Sequence, residues 1–166
     1  MKPILYIMCG IPGCGKSTFA QEFLQKLSSS GVDKRICVSR DAIRFSMLKD
    51  SEDYFTHENE VFDSFVHTIA TQLQDGVSVI ADATHIDMSS RKKLTYAVDK
   101  IFSDYDIVYI TFDTPLETCL ARNALRLGRA CVPEAIIRHM YDKFRLPRDD
   151  EDSRRIGTIN VKGDVI

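Results

Sequence analysis

The stretch "GIPGCGKST", residues 10–18, limits what this chain can fold into more than any other. It satisfies G-x-x-x-x-G-K-[ST]; the apolar run "ILYIMC" (4–9) precedes it, and the amphipathic "STFAQEFLQKL" follows, with Phe19, Phe23 and Leu27 on one stripe. Glycines at these places let successive backbone N–H groups turn inward as a nest for phosphate oxygens, and the helix behind adds the positive end of its dipole. Lys16 then bridges the outer phosphates as a point charge and Ser17 offers a hydroxyl to Mg²⁺. The plainer alternative is a tight glycine turn beside a surface lysine, which the strand before and the helix after make the poorer explanation. The expected nucleotide cradle is Gly10, Pro12, Gly13, Cys14, Gly15, Lys16, Ser17 and Thr18, with Pro12 and Gly13 shaping the loop.

A strand, a phosphate loop and a helix form the opening unit of an α/β sheet, and the rest of the chain continues it. Strand-like runs recur at 35–39 ("RICVS"), 77–82 ("VSVIAD") and 106–112 ("DIVYITF"), with a weaker one at 157–161 ("GTINV"). Their near-continuous hydrophobicity fits strands buried on both faces of a parallel sheet. Helical patterns lie between them. "ENEVFDSFVHTIATQLQ" puts Val61, Phe62, Phe65, Val66, Ile69 and Leu73 on one stripe; "SSRKKLTYAVDKIF" begins on cap-like serines; "TPLETCLARNALR" joins a capping Thr114 to Pro115 in the first turn; "VPEAIIRHMYDKF" also starts from proline. The expectation is one α/β domain over residues 1–166, with a central parallel five-stranded sheet flanked by helices. The polar "RLPRDDEDSRR" (145–155) reads as a solvated loop.

At 166 residues the chain has the length of one domain able to bury roughly 70% of its unfolded surface. With 44% apolar and 28% charged residues it has the make-up of a globular protein, which excludes disordered and fibrous classes. No run approaches the roughly 20 apolar residues of a membrane helix and no signal-peptide pattern opens the chain, so a cytoplasmic, non-membrane protein is expected. The five cysteines (Cys9, Cys14, Cys37, Cys119, Cys131) are odd in number and without C-x-x-C, which points to buried free thiols. A net charge of -2 argues against wrapping a long nucleic acid, so any such contact should be short and local.

Candidate chemistry clusters where ligands of such sheets gather, beyond the carboxyl ends of the strands. "SRDAIRFS" places Asp41 and Arg44 three residues apart, on one face if helical. A carboxylate that accepts a hydroxyl proton beside a phosphate-gripping guanidinium suits phosphoryl transfer to an alcohol; a helix cap with an i,i+3 ion pair is the other reading. In "VIADATH", Asp82 could orient Arg44, reach Mg²⁺ through water, or simply cap the next helix; Thr84 lies beside it, and His85 reads as a polar surface residue. "LARNALRLGRACVP" carries Arg122, Arg126 and Arg129, the first two at i,i+4. That is the pattern of a helical arginine lid closing over ATP, or of a solvated basic helix end.

These motifs together resemble the phage-type polynucleotide 5′-kinase family, within the larger group of P-loop kinases that includes AAA-type members. The resemblance runs from Met1 to about Pro147, through "GIPGCGKST", "SRDAIR", "DATH" with the downstream Arg91, and "TFDTPLETCLARNALRLGRACVPEAIIRHMYDKF". It implies a P-loop kinase fold that uses ATP and Mg²⁺, with Lys16, Asp41 and Arg126 catalytic and Asp41 the base on a 5′-hydroxyl. It implies that Ser17 holds the metal, Arg122 and Arg126 meet the nucleotide, and Asp41, Arg44, Asp82, Thr84 and Arg91 serve the acceptor. The phage enzyme joins its kinase to a phosphatase, whereas this chain ends at Ile166, so no 3′-end repair is expected.

The acceptor is expected to be the 5′-hydroxyl end of DNA or RNA, bound through residues 45–60. There Tyr54, Phe55 and His57 could stack on a base, or Phe55 could pack in the core. A small-molecule alcohol (sugar, nucleoside or antibiotic) is the alternative acceptor. A nucleotide-binding module with slow ATP hydrolysis is the third reading; the chain has no guanine-reading N-K-x-D.

Overall fold

The computed structural model describes residues 1–28 and 34–162; the side chain of Leu27 and the chain end at Ile166 lie outside what is described. In order the elements are β1 (Ile4–Cys9), α1 (Lys16–Ser28), β2 (Arg35–Ser39), α2 (Arg40–Met47), α3 (Glu58–Gln74), β3 (Ser78–Asp82), α4 (Met88–Asp99), β4 (Asp106–Asp113), α5 (Leu116–Ala124), α6 (Glu134–Lys143) and β5 (Arg155–Lys162). The strands form one five-stranded sheet, ordered β2-β3-β1-β4-β5, with every pairing parallel.

β1 is central because its sequence suits burial on both sides. Leu5 lies opposite Val79 and Ile107, and Tyr6 opposite Ile80 and Val108. Alternation along the strand sends Leu5, Ile7 and Cys9 into one core with Phe65, Ile69, Leu94 and Val98 of α3 and α4. Tyr6 and Met8 enter the other core, with Cys119 and Ile137 of α5 and α6 and the partly buried Phe19 and Phe23 of α1. The α3 stripe is as expected except at Phe62, which is half-buried: Val61, Phe65, Val66, Ile69 and Leu73 are buried. Burying each such side chain is worth roughly 1.5–3 kcal/mol relative to exposure.

Local details depart from the sequence reading. α4 is capped by Asp87, in a reciprocal box with Ser90, because Asp87 holds the extended backbone a cap needs. Thr114 does not cap α5; its hydroxyl donates to the Cys14 carbonyl at 2.9 Å and so ties the end of β4 to the loop after β1. Segment 145–155 is mostly exposed but not merely solvated. Glu151 in it is buried, and the cause is Arg91. All five cysteines are free thiols, with Cys9, Cys14 and Cys119 buried and Cys37 and Cys131 half-buried. No helix among the described residues is long and apolar enough to cross a membrane.

Candidate active site

A cleft of about 940 Å³ opens at the carboxyl ends of β1, β2 and β3. Its floor is the loop after β1. Gly13 has φ +83, and a Cβ there would lie 2.3 Å from the Cys119 carbonyl oxygen, so only glycine lets the loop pass this close to α5. The Lys16 ammonium donates to the carbonyls of Gly10 and Ile11 at 3.1 and 2.9 Å, which holds it across the loop. Ser17 lies in the first turn of α1, and its hydroxyl donates to Oδ2 of Asp82 at 3.3 Å. Burial raises the Asp82 carboxyl above its ordinary range, with the Lys16 charge and the Ser17 hydroxyl working against the rise. Asp82 is therefore neither a helix cap nor a partner of Arg44; it stands at the end of β3 beside the loop serine, on the phosphate side of the cleft. Thr84 lines the cleft too, and its carbonyl accepts from the Gly10 amide at 2.9 Å.

The facing wall comes from α2 and the start of α3. Ser39 caps α2 by accepting from the Ala42 amide, which frees Asp41 from a capping role. Asp41 lines the cleft and is 57% exposed, with Arg44 Nε 3.6 Å from its Oδ1. Arg44 is 4% exposed and far more tightly committed to Glu58, Nη1 to Oε2 at 2.6 Å, while Arg40 binds the other Glu58 oxygen. Tyr54 spans the two: its hydroxyl donates to Asp41 Oδ1 at 2.5 Å and its ring lies over the Arg44 guanidinium at 4.1 Å. Phe55 is 62% exposed and lines the cleft, so it is not a core residue. Glu58 was not legible as a site residue. Its only sequence signal is its place in the first turn of a helix.

The arginine segment forms the third side. Arg122 and Arg126 both line the cleft, but α5 stops at Ala124, so they do not share one helical face. Arg122 Nη1 reaches the Gly13 carbonyl at 3.5 Å; Arg126 sits past the helix end, near enough to Asp82 to favour its charged form. Arg129, in the short 3₁₀ turn Gly128–Ala130, donates to the carbonyls of Lys49 and Glu52, both at 3.0 Å. This turn is thereby tied to the segment that follows α2.

Two residues fall elsewhere than expected. Arg91 is 1% exposed, lies outside the cleft lining, and makes a two-pronged pair with Glu151 at 2.6 and 3.0 Å. Its Nη1 also donates to the carbonyls of His85 and Arg145, so every arm of the fork is spent on internal bonds rather than on an acceptor. His85 is buried, not a surface residue, and adopts left-handed backbone at φ 40. Its Nδ1 lies 2.9 Å from the Met8 carbonyl, which can only accept, so Nδ1 carries the proton. Burial lowers its pKa to about 4 against the help of that carbonyl. Arg91 and His85 thus buttress the turn behind the phosphate loop.

A phosphate loop after the first strand of a parallel sheet, faced by the Asp41 carboxylate and flanked by Arg122 and Arg126, is the arrangement of the P-loop kinase fold. The chain belongs to the family whose model, described as AAA domain, matches residues 5–147. It is 33% identical over 144 residues to the L-seryl-tRNA(Sec) kinase of Methanococcus maripaludis, covering 87% of this chain and 53% of that protein. It is 26% identical over 114 residues to the shikimate kinase of Clostridium botulinum, covering 64% and 68% of the two chains. Among solved structures, a chain of the Pnkp1/Rnl/Hen1 RNA repair complex matches with a TM-score of 0.67 and 26% identity, over 91% of this chain and 50% of that one. The chain thus spans about half the length of the archaeal kinase and of the repair-complex chain.

Proposed function

We propose that the protein transfers the γ-phosphoryl group of ATP to the 5′-hydroxyl end of a DNA or RNA strand as a single kinase domain, with Asp41 as the base. The observation that carries this is the sharing of one cleft by Lys16, Asp41 and Arg126. Donor phosphates on the loop and a proton acceptor on the opposite wall leave room between them for an incoming hydroxyl. Resemblance to the repair-complex chain and to a kinase named for a tRNA-borne substrate supports a nucleic-acid acceptor.

The roles follow from placement. Loop amides and Lys16 hold the outer phosphates, and Arg122 and Arg126 offset charge as it shifts during transfer. Asp41 takes the proton of the attacking hydroxyl as the new O–P bond forms and the bond to ADP breaks. Arg44, pinned by Glu58, keeps a positive charge beside Asp41 for the acceptor's neighbouring phosphate. Thr84 lines the acceptor's path. Mg²⁺ fits the donors present: a serine hydroxyl and the buried carboxylate it bonds are hard oxygen ligands, so Ser17 with Asp82 would hold it. When bound, it supplies charge neutralisation on the β and γ phosphates.

A small-molecule alcohol is the second reading, and a particular observation favours it. Arg40 and Arg44 are already paired with Glu58 and Arg129 with backbone carbonyls, so few cations on this wall remain for a phosphate chain. Labelled ATP offered with 5′-hydroxyl and 5′-phosphate oligonucleotides, and with a panel of shikimate, a sugar and a nucleoside, decides between them. Label on the 5′-hydroxyl strand alone, with affinity falling as salt rises, supports the first; equal or absent labelling of both strands sinks it. Asp41→Asn should lose turnover by roughly 10²–10⁴-fold while binding an ATP analogue normally, and wild-type turnover would remove Asp41 as the base.

A further inference from the structure

Asp41 stands on the exposed edge of a short helix, where a carboxylate free to rotate would be a poorly aimed base. One of its oxygens is nevertheless fixed. The Tyr54 hydroxyl donates to Oδ1 at 2.5 Å, and Arg44 Nε approaches the same oxygen at 3.6 Å; among the described residues no hydrogen bond reaches Oδ2. Tyr54 is itself held from several directions. Its ring covers the Arg44 guanidinium and packs edge-on against Phe45 and Phe55, with centroids at 6.0 and 4.8 Å, and Arg44 is anchored by Glu58.

We propose that Tyr54 is a positioning residue whose hydroxyl locks Oδ1 of Asp41, so that Oδ2 is the atom that takes the acceptor's proton. This rests on Asp41 being the base. In the transfer step the acceptor O–H proton passes to Oδ2, the acceptor oxygen forms its bond to γ-phosphorus, and the bond to the β-phosphate oxygen breaks with its electron pair going to ADP. Asp41 then returns the proton to solvent, while Tyr54 keeps its own throughout. The phenol can do so because burial, together with the neighbouring Asp41, raises its pKa well above that of an ordinary tyrosine. Arg44, by the same geometry, stiffens the tyrosine as well as facing the acceptor.

The test is Tyr54→Phe, which removes one oxygen from a half-buried ring and leaves the packing on Arg44. The acceptor is the 5′-hydroxyl oligonucleotide or, should that not be labelled, whichever alcohol of the panel is; failure of the strand alone overturns the acceptor reading and not this one. At saturating acceptor, kcat should fall roughly ten- to a hundredfold, the cost of a misaimed base, with acceptor KM, ATP-analogue affinity and melting temperature close to wild type. In an Asp41→Asn background the same change should cost nothing further, since no base remains to aim. Wild-type kcat in Tyr54→Phe overturns the proposal, as does a loss confined to KM or an equal loss in the Asp41→Asn background. Wild-type turnover in Asp41→Asn alone overturns the underlying base assignment instead.

Discussion

The phosphate loop is braced from behind by groups sealed in the core, whereas the wall that carries Asp41 is braced by partly exposed side chains gathered round the buried Arg44. On the donor side, Arg91 and Glu151 are each 1% exposed in their side chains, His85 is buried, and the turn they hold is tied to β1 and the loop through main-chain atoms: the Gly10 amide to the Thr84 carbonyl, the Met8 carbonyl to the His85 ring. On the acceptor side, Glu58 is 34% exposed and Asp41 57%, and the links are side chain to side chain. On the function proposed above, the donor side presents fixed N–H groups to a phosphate that is the same in every ATP, so a rigid backbone suits it. On the same proposal the Asp41 wall admits a hydroxyl and releases a product, and side-chain links can be retuned without moving the sheet.

The largest effect should come from breaking the buried brace. Arg91→Ala leaves Glu151 as an unpaired charge inside the protein and frees the carbonyls of His85 and Arg145 from their donor. The expected loss of unfolding free energy is about 3–5 kcal/mol by denaturant titration. If Arg91 instead served the acceptor, this variant would keep wild-type stability and lose acceptor KM alone. That outcome would reverse the contrast between the two sides.

The same contrast explains what could be read from the sequence. The sheet, its parallel sense and the phosphate loop were legible, because strand burial and a glycine nest depend on residue types at fixed local spacing, as in Leu5–Cys9 and Gly13. Asp41 was legible as a candidate since it follows a strand directly. Arg91 misled, because a downstream arginine at family spacing says nothing about the acid that meets it; Glu151 arrives from 60 residues away. His85 looked like a loop residue because no local pattern marks left-handed backbone or a carbonyl from β1. The i,i+4 reading of Arg122 and Arg126 assumed a helix that ends two residues too soon. Glu58 and the Tyr54 hydroxyl were hidden for the same reason: their partners lie 13 to 18 residues away, across a turn whose shape the sequence does not state.

A milder way to load the donor side is acid. His85 has its pKa lowered to about 4 from the ordinary 6.5, chiefly by burial. The folded form resists protonation that the unfolded chain accepts, so stability is complete above the unfolded value and is lost as pH falls from 6.5 toward 4. Between pH 7 and pH 5 that amounts to about 2 kcal/mol from this residue. His85→Asn should flatten the dependence of the unfolding midpoint over this range, even if its midpoint at pH 7 is lower. A midpoint that falls as steeply in the variant as in the wild type would assign the acid sensitivity to other groups.

The smallest effect probes the acceptor wall. Glu58→Gln keeps the shape of the side chain and removes the charge that Arg40 and Arg44 share. Arg44, 4% exposed and without its counter-ion, has Asp41 as the nearest carboxylate, already within 3.6 Å of its Nε. Drawn onto Asp41, it competes with Tyr54 for the oxygen that should stay aligned and leaves Asp41 a poorer acceptor of protons. Phosphorylation of the acceptor should therefore slow about tenfold in kcat/KM, equivalent to about 1.4 kcal/mol. ATP-analogue affinity should stay within about twofold, because no link in this chain reaches the phosphate loop. Stability should drop by about 1 kcal/mol, since solvent reaches the Glu58 end of the pair and Asp41 stays beside the buried Arg44 as a second carboxylate. A Glu58→Gln protein that bound the nucleotide ten times more weakly would mean that the two sides of the cleft are mechanically one, joined through Arg129 and the lid. A protein that lost only acceptor turnover would mean that they can be altered separately, with the donor fixed by the fold and the acceptor wall set by a few exchangeable side chains.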